Sequence, residues 1–107
     1  MSGAPCGTGA ERHGILAEKI RNARPRGRVS VTGGVVSSAP TSHGGSIACR
    51  VEIDDGTGTL ALLFFGRGSI PGLIVGACVR VWGTALPDGT GLVIWNPRYE
   101  FVAPTRT

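Results

Sequence analysis

Charged and aromatic residues are scarce in this 107-residue sequence, at 17% and 6% of the chain. Long apolar runs are also missing. The longest, residues 60–65, is too short to cross a membrane, and the N-terminus lacks the apolar core of a secretory signal. We therefore expect a cytoplasmic protein with no membrane partner, and the length accommodates one domain with a modest core.

The residue types that carry metal and catalytic chemistry are sparse as well. The three cysteines, Cys6, Cys49 and Cys78, form no Cys-x-x-Cys pair, and the two histidines lie far from any cysteine cluster. We therefore expect no metal site, no cofactor and thiols that are buried or idle. The sequence has no Ser/His/Asp or Cys/His set and no close carboxylate pair suited to acid–base work, so we predict no catalytic residues and no enzyme.

Positive charge is concentrated at the N-terminal end. Residues 11–28 hold six basic and two acidic residues, whereas five of each follow from residue 29 onward. A basic arm beside a neutral domain favours a polyanionic partner, and a solvated tail is the alternative that charge alone leaves open.

The strongest local pattern is a hairpin over residues 47–67. Cys49, Val51 and Ile53 alternate with polar or small residues, and the tetrapeptide Asp-Gly-Thr-Gly at 55–58 supplies a turn. This period of two predicts a strand with one buried face. The next strand, residues 59–65, is apolar on both faces, so it is either buried twice or presents apolar surface to a ligand.

Eighteen glycines, spaced as single turn residues, indicate a β-rich domain. The remaining predicted elements are a helix at 10–23, a strand at 28–36 bent at Gly33-Gly34, a flexible loop at 37–46, a linker with a hydrophobic plug at 66–76, and strands at 77–85 and 91–96, the last resuming after Pro97. A second Asp-Gly-Thr-Gly turn begins at Asp88.

Five strands in this arrangement predict an all-β fold, a five-stranded OB-fold barrel with a short N-terminal helix. We assign residues 1–27 to a basic arm, 28–103 to the barrel and 104–107 to a tail. Whether the N-terminal helix covers strands two and three is left open.

Several short strings carry a resemblance over residues 28–102. They are Phe64-Phe65-Gly66-Arg67, Ile70-Pro71-Gly72 and Asn96-Pro97-Arg98-Tyr99, with the turn at 55–58 ahead of them. Together they resemble small single-domain bacterial OB-fold nucleic-acid-binding proteins and, more distantly, the wedge domain of the RecG helicase, although helicase motor motifs are absent. The resemblance implies a nucleic-acid partner, with single-stranded or branched DNA expected over RNA and little sequence preference.

Binding a single strand requires cations for phosphates and flat side chains for bases. Strand alternation and proximity to the barrel end select eight candidates: Arg50, Phe65, Arg67, Arg80, Trp82, Trp95, Arg98 and Tyr99. The alternatives are a surface ion pair for Arg50 with Glu52 and internal packing for the two tryptophans. An alternative function is a protein–protein interaction module that uses the outer face of strands two and three.

Overall fold

Six strands form one sheet in the computed structural model, which describes residues 18–103. They are β1 (Arg28–His43), β2 (Ser46–Asp54), β3 (Thr59–Phe65), β4 (Cys78–Asp88), β5 (Gly91–Trp95) and β6 (Arg98–Phe101). The order β1-β2-β3-β5-β4 closes on itself because β1 also pairs with β4, and only β3 and β5 run parallel. This closed ring of five strands confirms the predicted OB-fold barrel.

The interior of the ring is filled by the residues that the alternating sequence pattern predicted to face inward. Val51, Ile53, Leu60 and Leu62 are fully buried, and Phe64 is nearly so. A buried side chain of this size contributes about 1.5–3 kcal/mol through removal from water. The hairpin over residues 47–65 is therefore the centre of the core, as its pattern predicted.

The first strand is longer than predicted. The flexible loop expected at residues 37–46 is wrong, because β1 continues to His43 and pairs with β2 as far as Ser46. Gly44 and Gly45 have φ values of 60° and 84°, which a two-residue type I′ hairpin turn requires. This part of β1 has no buried face beyond Val35, so it lacks the apolar alternation by which strands are recognised.

The predicted bend at Gly33-Gly34 is confirmed. Gly34 pairs with Cys78 of β4 and with Asp54 of β2, so β1 changes partner there, and the register shifts between Val35 and Ser37. A Cβ atom on Gly33 would lie 2.9 Å from the carbonyl oxygen of Asp54. The missing side chain therefore lets the strand curl tightly enough to close the ring.

The predicted helix at 10–23 falls partly outside the described residues. Its described part forms only a 3-10 turn, Ile20–Asn22, so the helical prediction is wrong there. Ala23 already has extended dihedral angles two residues before Pro25, and the side chain of the N-cap residue Lys19 makes no capping hydrogen bond. Ile20 is buried in the core at one end of the barrel.

Asp55 holds this turn on the barrel end. Its carboxylate accepts hydrogen bonds from the backbone N–H groups of Ile20 (2.8 Å), Thr57 (2.8 Å) and Gly58 (3.2 Å) and from the Thr57 hydroxyl (2.7 Å). Burial alone would raise the pKa of Asp55, but these bonds, the Thr57 hydroxyl first, lower it below its ordinary value. Residues 18–23 therefore close the barrel end beside the β2–β3 turn.

The later elements follow the predicted outline. Ile70 and Leu73, in the segment between β3 and β4, are buried as the expected plug. The chain resumes as β6 after Pro97 and pairs with β4, where Arg98 faces Trp82. Cys49 is a buried free thiol, as expected. Cys78 is buried but disulfide-bonded, so the expectation of a buried or idle thiol is wrong for Cys78.

Candidate nucleic-acid interface

The outward-facing residues of β2, β3 and β5 form what we call the outer face of β2–β3–β5. Ala48, Ala61, Leu63 and Val93 are buried there and form a second, smaller apolar cluster outside the ring. Phe65 is half-buried and packs against it. β3 is therefore apolar on both faces because one face packs inside the ring and the other packs in this second cluster. At the edge of the second cluster, Phe65 reaches the surface.

Three aromatic rings meet at one end of this face. Phe65, Trp95 and His43 pack edge to face, with centroid separations of 5.4 Å for Phe65–Trp95, 5.2 Å for His43–Phe65 and 5.5 Å for His43–Trp95. We call them the aromatic cluster. Trp95 is 49% exposed, and the exposed Arg67 follows Phe65 by two residues. The cluster therefore presents the half-exposed ring of Trp95 to solvent, with a cation close by along the chain.

Sequence reasoning brought Phe65 and Trp95 into the site but missed His43. The available signal was the Gly44-Gly45 pair. If this pair is taken as a two-residue hairpin turn, His43 lies opposite Ser46. Ala48, two residues further along β2, pairs with Phe65, so His43 and Phe65 come close together. Because residues 37–46 were predicted to be a loop, His43 was not assigned to a strand.

Asn96 fixes the geometry of the aromatic cluster. The sequence pointed to this residue only as the first member of the string Asn96-Pro97-Arg98-Tyr99 and gave it no role in the site. Its φ of 48° lies in the left-handed region, which asparagine tolerates. Its N–H donates to the Leu63 carbonyl (2.7 Å), and its Oδ1 accepts from the N–H of Phe65 (2.9 Å). These two bonds tie the end of β5 to the end of β3, so Asn96 positions both Phe65 and Trp95.

Arg50 lies at the middle of the same face, but its guanidinium already has partners. Nε donates to Glu52 (3.2 Å) and Nη2 to Asp88 (2.9 Å). The hydrogen bond to Asp88 is the main cause that raises the pKa of Arg50, against an opposing effect of burial. Two carboxylates thus surround one cation, and this part of the face carries a net negative charge at neutral pH.

Arg80, Trp82 and Arg98 lie elsewhere, on the outer face of β1–β4–β6. The Arg80 guanidinium lies 6.0 Å from the centroid of the Trp82 ring and pairs with Glu100 (3.2 Å). Arg98 lines a pocket with Trp82 and Arg28. The predicted candidates therefore do not form one site, because they divide between two faces of the barrel.

Tyr99 belongs to neither group. Its ring packs edge to face against Phe64 (5.5 Å) and Phe101 (5.8 Å) and is 36% exposed. It faces Val81 across the β4–β6 ladder, and Val81 is a core residue. The structure therefore places Tyr99 at the margin of the core, on the side of β6 that Arg98 does not occupy.

Residues 18–103 contain neither a metal-binding cluster nor a membrane-spanning helix. This part of the chain holds no group of three or more His, Cys, Asp or Glu residues that could bind a metal ion. It also contains no helix with the length and apolar character needed to cross a bilayer.

Comparison with known proteins gives a structural neighbour and no sequence relative. No family model and no curated protein matches the chain. The solution NMR structure of the replication factor A related protein from Methanobacterium thermoautotrophicum matches with a TM-score of 0.59 at 17% identity. The match covers 80% of this chain and 90% of that one. At this identity the likeness shows the fold alone, so the chain is similar to that archaeal protein in its OB-fold barrel.

Proposed function

We propose that this protein binds single-stranded or branched nucleic acid, DNA before RNA, without strong sequence preference and without catalysing a reaction. The observation that carries the proposal is the aromatic cluster, held half-exposed on the outer face of β2–β3–β5 of a closed barrel. OB-folds use the face of strands two and three to bind oligonucleotides.

The chemistry of the cluster suits bases of any sequence. Each base has a π-face, so stacking on Trp95 and Phe65 discriminates little between bases, and it contributes about 1–3 kcal/mol per base. Arg67 is exposed near the same end of β3 and is suited to a phosphate contact. Affinity from such a combination falls as salt rises, because phosphate binding releases counterions.

The structural neighbour supports this proposal by its name. It is described as related to replication factor A, which associates the shared barrel with replication. The similarity to small bacterial OB-fold proteins and to the RecG wedge domain, proposed from the motifs in residues 28–102, points to the same class of ligand. The preference for DNA over RNA and the inclusion of branched DNA rest on that motif resemblance.

The direct test is a fluorescence anisotropy titration with labelled DNA and RNA oligonucleotides at several salt concentrations. We expect binding at low salt, tighter for DNA, with an affinity that falls linearly on a double logarithmic plot against salt. Arg67→Ala should reduce the salt slope by about 0.7 for a single strand. Absence of binding to every oligonucleotide at low salt would overturn the proposal.

A second candidate function is a docking surface for another protein. Two observations favour it: Arg50 is neutralised by Glu52 and Asp88, and Ile47 at the start of β2 is 55% exposed. Under this alternative, Arg67→Ala would leave both the oligonucleotide affinity and its salt slope unchanged. The same titration therefore separates the two functions.

A further inference from the structure

We infer that the outer face of β1–β4–β6 is a second nucleic-acid contact surface, which holds a separate segment of the ligand with a base on Trp82 and phosphates on Arg28 and Arg98. The inference rests on the proposed function. It goes further because it gives the protein two contact surfaces and makes a forked or looped ligand the preferred one.

The sheet register places the two cations on either side of the indole. Trp82 pairs with Ser30 on β1 and with Arg98 on β6. Arg28 precedes Ser30 by two residues and therefore projects from the same face of β1. Directly paired residues in a sheet lie close enough for their side chains to touch, and diagonal neighbours remain within reach of long side chains. The three side chains line one pocket.

Arg80 acts as a support for the ring. Its guanidinium lies 6.0 Å from the Trp82 centroid, within the range of a cation–π contact, and its Nη1 donates to Glu100. With Arg80 engaged, Arg28 and Arg98 are the cations left to meet an anion. Both are exposed, and neither belongs to an ion pair found among residues 18–103.

Charge selects an anion as the partner of this face. The acidic groups next to it are Glu100, paired with Arg80, and Glu18, whose carboxylate accepts from the N–H of Ser30 at the edge of β1. Three arginines thus outnumber two carboxylates. An indole between two guanidinium groups matches a ligand in which flat rings alternate with phosphates, and that ligand is a nucleic-acid strand.

The closed ring separates this face from the Phe65 side of the aromatic cluster. In the order β1-β2-β3-β5-β4, strand β3 lies across the ring from the β1–β4 pair. Trp95 lies on β5, next to β4 in the ring, whereas a strand stacked on Phe65 must pass around the outside of the barrel to reach Trp82. A ligand with two single-stranded arms can occupy both faces of one molecule, which raises its affinity through effective concentration.

Because each face carries one tryptophan, ligand binding at each face can be followed separately by tryptophan fluorescence. Trp95→Phe leaves Trp82 as the single tryptophan, and Trp82→Phe leaves Trp95. Each variant is titrated with a forked DNA that carries two single-stranded arms and with a linear oligonucleotide of one arm's length. We expect the fork to change the emission of both tryptophans at one fork per protein, and to bind at least tenfold more tightly than the linear strand.

A charge variant completes the test. The double variant Arg28→Ala/Arg98→Ala should weaken fork binding by on the order of tenfold and lower its salt slope by about 1.4, two contacts at roughly 0.7 each. The response of Trp95 to the linear strand should stay unchanged. Arg24→Ala, which removes one exposed charge away from the pocket, is the control and should have a smaller effect.

Three results are decisive. If saturating fork changes Trp95 emission but not Trp82 emission, and the double variant binds the fork like the parent protein, the inference is overturned and the proposed function stands. If only Trp82 responds, the second surface is supported and the site on the outer face of β2–β3–β5 fails. If neither tryptophan responds at low salt, the proposed function and the inference both fail.

Discussion

The two outer faces of the barrel use arginine and aromatic residues in opposite ways. On the outer face of β2–β3–β5, rings pack against rings, and Arg50 is surrounded by Glu52 and Asp88. On the outer face of β1–β4–β6, one ring lies under a guanidinium, and Arg28 and Arg98 remain exposed beside it. The first arrangement is suited to stacking with little electrostatic attraction, and the second to phosphate contact.

This contrast teaches that a count of outward arginines does not locate a binding site. Arg50 and Arg98 are both outward residues of exposed strands, yet only Arg98 is free of an ion pair within residues 18–103. Whether a cation can reach a phosphate depends on the carboxylates that the fold brings beside it.

Trp95→Ala removes the most exposed ring of the aromatic cluster. We expect the affinity for a linear oligonucleotide to fall by roughly 5- to 150-fold, the equivalent of ~1–3 kcal/mol for one stacked base. The melting temperature should change little, because about half of the side chain is already in solvent. Anisotropy titrations beside thermal melts check both parts. Trp82→Ala is the control on the other face, and an equal loss from both variants would contradict the division of the faces.

Asp55→Asn tests the hydrogen bonds that hold residues 18–23 on the end of the barrel, a region outside both outer faces. The charged acceptor of four hydrogen bonds is lost, so we expect unfolding to become easier by about 1–3 kcal/mol at pH 7, with oligonucleotide affinity unchanged. Because folding lowers the pKa of Asp55, its contribution is present above the unfolded value of about 3.9 and disappears as pH falls through the folded value. Urea unfolding at pH 7 and pH 3 should show a gap between parent and variant that narrows in acid.

Asn96→Ala tests whether the aromatic cluster depends on its support. Loss of the bond to the Phe65 N–H, together with alanine in a left-handed conformation, should destabilise the fold by about 0.5–1.5 kcal/mol and weaken linear-strand affinity severalfold. Asn96→Asp keeps the acceptor oxygen and should retain most of both. The fork-induced response of Trp82 should not change in either variant. A full loss of that response would show that the faces are not independent.

Asp88→Asn should have the smallest effect and the opposite sign. It releases one of the two carboxylates that hold Arg50, so the outer face of β2–β3–β5 becomes less negative. An exposed ion pair is worth about 0.2–1 kcal/mol, and we expect linear-strand affinity to rise by roughly 1.4- to 5-fold at low salt. Glu100→Gln, the matching change on the other face, should leave linear-strand affinity unaltered. A decrease with Asp88→Asn would mean that Asp88 itself positions the ligand.

The closed barrel could be predicted because its signals are local. The alternation at Cys49, Val51 and Ile53 selects a buried face by itself, and the glycines at residues 33 and 34 mark a bend wherever a strand must curl. The second half of β1 could not be predicted in the same way. Its residues have no buried face, and only the two-residue turn at Gly44-Gly45 reveals that it is paired.

The candidate site was harder to predict from the sequence, because its contacts join residues that are distant in the sequence. Nothing near Arg50 indicates that Asp88, 38 residues away, accepts its hydrogen bond. The two Asp-Gly-Thr-Gly turns make the same point. Asp55 turns its carboxylate to the backbone of its own turn and to Ile20, whereas Asp88 turns its carboxylate to Arg50. Identical tetrapeptides thus serve different roles, which are set by what the closed ring places beside them.

The emission of Trp95 in the Trp82→Phe variant tests the central claim most directly. Titration with single-stranded DNA at low salt should quench this emission to saturation, and the midpoint should move to higher DNA concentration as salt is added. An emission spectrum that stays unchanged at saturating DNA, in a variant that melts like the parent protein, would contradict nucleic-acid binding at the aromatic cluster.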